Sequence, residues 1–258
     1  MARSLYSGGT THSLRCTLMK AVLFDFFGTL VNYSDSRTEQ GYLLTHSLLS
    51  KAGIDLSYEA FLEEWSHSHA RYDRYSIETG LEYNMEDVSA HFLERHAPGH
   101  LSSDLVRELW RTFLDEWATG ITRIAGVPEL LRRLSSTLRV GVVSNTHCEE
   151  LVLEQLERSG IHQFVHHVVT SVSHGRPKPH PSIFMSALEG IGCAAHETLF
   201  VGDSYAADYQ GAIGVGMPAL LIAPEGHALA PAADVISSIL EVESYITARQ
   251  GPPAPRMR

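Results

Sequence analysis

Two hydrophobic rhythms alternate along the chain. Residues 21–24, Ala-Val-Leu-Phe, form a short unbroken apolar run, the pattern of a strand buried on both faces. From Leu30 to about Trp117 the spacing turns helical. Leu43, Leu44, Leu48 and Leu49 make one apolar stripe, Phe61, Leu62 and Trp65 a second, and Leu105, Leu109, Trp110, Phe113, Leu114 and Trp117 a third. Gly80 and Pro98-Gly99 punctuate this stretch, and no strand-like alternation interrupts it. It predicts an all-helical insert.

After the insert, strands and helices alternate. The pattern predicts helices over 127–134 (beginning near Pro128), 149–159 (ended by Gly160), 181–189 and 206–213, with strands over 139–143, 165–172, 198–201 and 219–222. Such alternation implies an α/β fold, a Rossmann-like parallel sheet core with helices on both faces. The expected organisation is an N-terminal extension over 1–18, a core from 19–32 and 120–247, a helical cap over 33–119, and a Pro-rich tail over 248–258.

Composition narrows the function. The 258 residues carry a net charge of −10, and the absence of a basic face argues against nucleic-acid binding. No apolar run approaches the ~20 residues of a membrane span. Three cysteines, Cys16, Cys148 and Cys193, have no metal spacing and leave one unpaired in any disulfide scheme, so a cytoplasmic location is expected. Lysine occurs only at positions 20, 51 and 178.

In a parallel sheet, the working residues gather where strands end. Asp25 closes the first strand and is a candidate nucleophile, with Gly28 allowing the tight turn behind it. Ser144, Asn145 and Thr146 follow the second strand, where hydroxyls and backbone N–H groups suit phosphate oxygens; taken alone, Ser144 or Thr146 reads first as a cap of the helix beginning near Cys148. Lys178 lies in Arg-Pro-Lys-Pro-His-Pro, a stiff loop that aims its ammonium. Asp203 ends a later strand, and Asp208 follows it. With Asp25 these carboxylates are candidates to hold Mg²⁺, Asp208 through water or a hydrogen bond.

The order of these pieces resembles the haloacid dehalogenase-like hydrolase superfamily: Asp25-Phe26-Phe27-Gly28-Thr29-Leu30, then Ser144-Asn145, Lys178-Pro179, and Gly202-Asp203 with Asp208. The helical insert after the first motif resembles that superfamily's first cap type. The resemblance implies a mobile four-helix cap closing over a site. It implies a Mg²⁺-dependent phosphatase acting on a small phosphorylated substrate, as monomer or homodimer, through an aspartyl phosphate. Thr29, Ser144 and Asn145 would lie near the phosphate, and the Phe27 carbonyl would be a further metal ligand.

Position 27 departs from the pattern, because the superfamily's phosphatases carry there an Asp that acts as general acid–base. Three readings follow. A phosphatase remains the first, with a leaving group that needs little help, such as an acyl or aryl phosphate, or with a proton from His147. A 2-haloacid dehalogenase-type reaction is the second, since those enzymes carry an aromatic residue at this position; they lack the Gly-Asp motif and use a cap arginine, for which Arg37 is the nearby candidate. A phosphometabolite-binding protein without turnover is the third. In the cap, His67, Arg71 and Arg74 share a helical face, for which the solvent-exposed reading is favoured, and Lys51 is expected to be solvated. Phe61, Leu62 and Trp65 are expected in the cap core.

Overall fold

A computed structural model describes residues 18–34, 40–223 and 233–250. Strand β1 (Ala21–Phe24) is buried throughout and lies at the centre of a six-stranded parallel sheet. With β4 (Arg139–Ser144), β5 (His167–Thr170), β6 (Thr198–Gly202), β7 (Ala219–Ile222) and β8 (Val235–Ile236), the order is β5-β4-β1-β6-β7-β8. The order reverses direction at β1, and the carboxyl ends of β1, β4 and β6 therefore meet at the crevice such sheets use for ligands.

Period-two alternation builds both layers. Val22, Phe24, Val140, Val142, Leu199 and Val201 face α5 (Val127–Ser135), α6 (Glu149–Arg158) and α10 (Val242–Gln250). Ala21, Leu23, Val143 and Phe200 face the other way, onto α8 (Pro181–Ile191) and α9 (Gly211–Gly214). Both sets are fully or nearly fully buried.

Four helices intervene between the short strands β2 (Val31–Asn32) and β3 (Thr122–Arg123), which pair antiparallel at their base. They are α1 (Leu43–Lys51), α2 (Tyr58–Thr79), α3 (Met85–His96) and α4 (Ser103–Trp117). Ser57, Asn84 and Ser102 cap α2, α3 and α4 by accepting from backbone N–H groups three residues on, and Gly80 ends α2 with φ 66°. Phe61, Trp65, Phe92, Leu109 and Phe113 form the cap core, and Leu62 packs on its edge.

Several expected boundaries shift. The strand expected over 165–172 is only His167–Thr170, because the Thr170 hydroxyl caps a short helix, α7 (Ser171–His174). The helix expected over 206–213 begins as a π-helical turn, Tyr205–Gln210, before α9. Leu43 and Leu44 do not join the cap core but stand 65% and 66% exposed; α1 turns Thr45 and Leu49 inward instead, with Thr45 bonded to Glu116. Residues 1–17 of the expected extension, Cys16 among them, lie outside the described residues, as do Arg37 and most of the expected tail. No helix among the described residues is long and apolar enough to cross a membrane.

Candidate active site

The chain leaves β1 through a turn that fixes Asp25. Its N–H donates to the Val201 carbonyl of β6 (2.9 Å), and Gly28 at φ 85° returns its own N–H to Val31 (2.8 Å). A Cβ at Gly28 would lie 2.2 Å from Asp203 Oδ2, so only glycine lets that carboxylate approach. Gly202 does the same for Asp208, whose Cγ would be 2.4 Å from an added Cβ.

Lys178 is the hub of the site. Its side chain is 2% exposed. Nζ donates to Asp25 Oδ1 (2.6 Å) and to the Val143 carbonyl at the end of β4 (2.8 Å). Asp208 Oδ1 stands 2.7 Å away, an ion contact off the hydrogen-bond axis. Asp208 Oδ2 accepts from the Ser204 N–H (2.9 Å). The loop carrying Lys178 is held by Asn145: its Oδ1 accepts from the Lys178 N–H (2.8 Å) and its Nδ2 donates to the Lys178 carbonyl (3.0 Å).

Two carboxylates thus hold one ammonium, and a third, Asp203, stands beside them. Asp25, Asp203 and Asp208 each offer an oxygen, all within 4.8 Å of one another; Asp25 and Asp208 are buried and Asp203 is exposed. Burial raises the Asp25 carboxyl to about 7 against the pull of Lys178, and the charges of Asp208 and Asp203 push the same way. Burial would lower the Lys178 ammonium, but Asp208 and Asp25 outweigh it and hold it above its ordinary value. Desolvation, then Asp208, raises Asp203 as well. The surplus negative charge and the all-oxygen donor set fit a hard divalent cation.

A cavity of about 410 Å³ opens above this cluster, between sheet edge and cap. Asp25, Phe27, Asn145, Thr146, His147, Lys178, Asp203 and Asp208 all line it. Gly28, Thr29 and Ser144 do not; Thr29 and Ser144 are fully buried behind its wall. The Thr146 hydroxyl donates to the Cys148 carbonyl (3.0 Å), and its N–H donates to the Ser171 hydroxyl (2.9 Å), so Thr146 shapes the turn into α6. His67, Arg71, Arg74 and Lys51 are solvent-exposed.

Sequence reasoning missed the cap's share of the wall: Tyr33, His69, Met85, Phe113, Leu114 and Trp117. Phe113, Leu114 and Trp117 had been visible only as an apolar stripe. It also missed Glu82, whose buried carboxylate lies 3.1 Å from His147 Nδ1, while Tyr83 stacks on the His147 ring at 4.0 Å. Nothing in the sequence around Gly80 signals that contact.

A family model described as haloacid dehalogenase-like hydrolase matches residues 19–216. The ribulose-1,5-bisphosphate 5-phosphatase of Halopiger xanaduensis is 26% identical over 210 residues, 79% of this chain and 84% of that protein. A glyceraldehyde 3-phosphate phosphatase of Methanothermobacter thermautotrophicus is 40% identical over 91 residues, 35% of this chain and 40% of the relative. A solved 2-haloacid dehalogenase from Pseudomonas syringae pv. Tomato superposes with a TM-score of 0.70 at 20% identity, over 91% of this chain and all of that one, a likeness of fold. With its strand order, its inserted helical cap and its lysine-centred carboxylate cluster, the chain belongs to the haloacid dehalogenase-like hydrolases.

Proposed function

We propose that the protein is a Mg²⁺-supported phosphomonoesterase of a small phosphorylated metabolite. The observation that carries this is the excess of carboxylates around Lys178 at the floor of an open cavity. Two relatives named as phosphatases support it. Asp25 is the nucleophile: one carboxylate oxygen forms a bond to phosphorus as the ester oxygen leaves, giving an aspartyl phosphate. Water then attacks that phosphorus, releasing inorganic phosphate and regenerating Asp25. Lys178 holds the Asp25 oxygen in place and offsets charge on the transferring group, and Asn145 keeps Lys178 positioned. Mg²⁺ held by Asp25, Asp203, Asp208 and the Phe27 carbonyl would supply further compensation for the phosphoryl oxygens. Gly28 lets Asp203 reach its place, and Thr29, Ser144 and Thr146 shape the turns around the phosphate.

Halide displacement from a 2-haloacid is the second reading, favoured by the aromatic Phe27. Against it, no arginine among the described residues lines the cavity to take a substrate carboxylate, and three clustered carboxylates would repel one. Phosphate release from a panel of phosphate esters, with and without Mg²⁺, is the test. Wild type should release phosphate only with Mg²⁺, and Asp25→Asn should be inactive. Chloride release from 2-chloropropionate in EDTA, or unchanged activity in Asp25→Asn, would refute the assignment.

A further inference from the structure

The cavity has two unlike walls. One is the charged cluster. The other is formed by Phe27, Tyr33, Phe113, Leu114 and Trp117, closed by Met85. Phe27 packs edge-on against Trp117 (5.4 Å between ring centres) and tilted against Tyr33 (5.6 Å). Among the described residues on this cavity, Lys178 is the one lysine or arginine, and Asp25 and Asp208 already hold it. A second phosphate would find no second lysine or arginine there.

We propose that the group beyond the phosphate is an aromatic ring, so that the site takes an aryl phosphate monoester. The inference rests on the phosphomonoesterase reading and names its substrate class. Two independent features carry it. The first is the wall: its aromatic and aliphatic faces accommodate a ring edge-on or offset. About 410 Å³ falls within the roughly 300–1,000 Å³ of small-molecule sites. The second is position 27 itself. Phe27 has no proton to give, and where no other group supplies one the leaving oxygen departs as an anion. A phenol ionises at about 10, whereas an alkanol, like water, ionises several units higher. Only the phenolate departs readily without a donor. Asp25 forms the new bond to phosphorus, the phosphorus–phenolate bond breaks, and the phenolate takes its proton from solvent. Water hydrolyses the aspartyl phosphate, so that ester plus water gives phenol plus phosphate.

Two measurements test this. In the first, kcat/KM is followed with Mg²⁺ over substituted phenyl phosphates, together with glycerol 3-phosphate, ribose 5-phosphate and ribulose 1,5-bisphosphate. A steep fall with rising leaving-group pKa is expected, and Phe27→Asp should flatten it and raise the alkyl esters by about 10²-fold. In the second, binding of phenylphosphonate and methylphosphonate is compared. Phenylphosphonate should bind about tenfold more tightly. That preference should vanish in Trp117→Ala and persist in Trp117→Phe. Alkyl esters turned over as fast as phenyl phosphate would overturn the inference and leave the phosphatase standing. So would a shallow dependence in wild type that steepens in His147→Gln, because His147 would then be the donor. Phosphate release from none of the esters would remove the phosphatase reading, and this inference with it.

Discussion

Replacing Lys178 with methionine isolates the electrostatics on which the site depends. The side chain keeps most of its length and loses its charge. The lysine makes contacts of 2.6, 2.7 and 2.8 Å to Asp25, Asp208 and the Val143 carbonyl, at 2% side-chain exposure. It also lies over the Phe200 ring at 5.4 Å. Without it, two buried carboxylates face each other uncompensated, and breaking a buried ion pair from one side costs about 3–5 kcal/mol. For a chain of this size that is a fall in Tm of about 6–20 °C.

The loss should depend on pH in a defined direction. Asp25 in the folded protein is already raised to about 7 from 3.8, so folding takes up a proton. The metal-free protein therefore loses stability as pH climbs from about 4 to about 7. Removing Lys178 raises the carboxyl further, and the decline then continues above pH 7. Thermal unfolding followed by circular dichroism in EDTA, at pH 6 and pH 8.5, should show a larger Tm difference between variant and wild type at pH 8.5. Equal Tm values at both pH values would refute the buried-triad account.

Gly28→Ala should weaken Mg²⁺ binding at least about tenfold by calorimetry, because a Cβ 2.2 Å from Asp203 Oδ2 must displace that carboxylate and alanine is strained at φ 85°; an unchanged Kd would contradict the proposed metal site. Asn145→Ala removes both bonds to the Lys178 backbone and should cost about 1–3 kcal/mol in denaturant unfolding along with a lower kcat; retained activity would show that the loop holds itself. Burial pushes the Cys148 thiol up to about 11. Its alkylation by iodoacetamide should be slow at pH 8 and rise about tenfold per pH unit beyond, read by peptide mass spectrometry; a plateau near pH 8.5 would disprove this.

Asp25, Lys178 and Asp203 were legible because each breaks a strong local pattern. Asp25 and Asp203 follow uninterrupted apolar runs, and Lys178 is a rare lysine among prolines. The sheet was legible for the same reason, since strands buried on both faces read as continuous apolar segments. The two-residue strands β2, β3 and β8 carry no measurable period, and only pairing with distant partners makes them strands. Leu43 and Leu44 misled because a stripe of leucines does not say which helix face is covered. Asn145 was expected beside the phosphate. It lines the cavity, but its carboxamide is engaged by the Lys178 backbone 33 positions away, a relation no local window contains. The Glu82–His147 contact is of the same kind, joining the α2–α3 link to the β4–α6 turn.

Phe27 has a structural consequence as well as a chemical one. It packs on the sheet's hydrophobic cluster and on the cap's, a position it shares with Ile121 at the other chain crossing. Phe26 meets its ring at 4.9 Å from the core side, and Trp117 meets it at 5.4 Å from the end of α4. Aromatic pairs of this kind contribute about 0.5–1.5 kcal/mol each beyond area burial. An aspartate there would forfeit both contacts and set a fourth carboxylate beside a cluster of three that has one ammonium among them. The aromatic residue therefore holds the cap against the core at the mouth of the site and spares the cluster another charge. The loss of a donor at this one position follows from the same side chain. In this chain the packing between cap and core and the chemistry available to the leaving group are set by one residue, and a substitution made to change either must alter both.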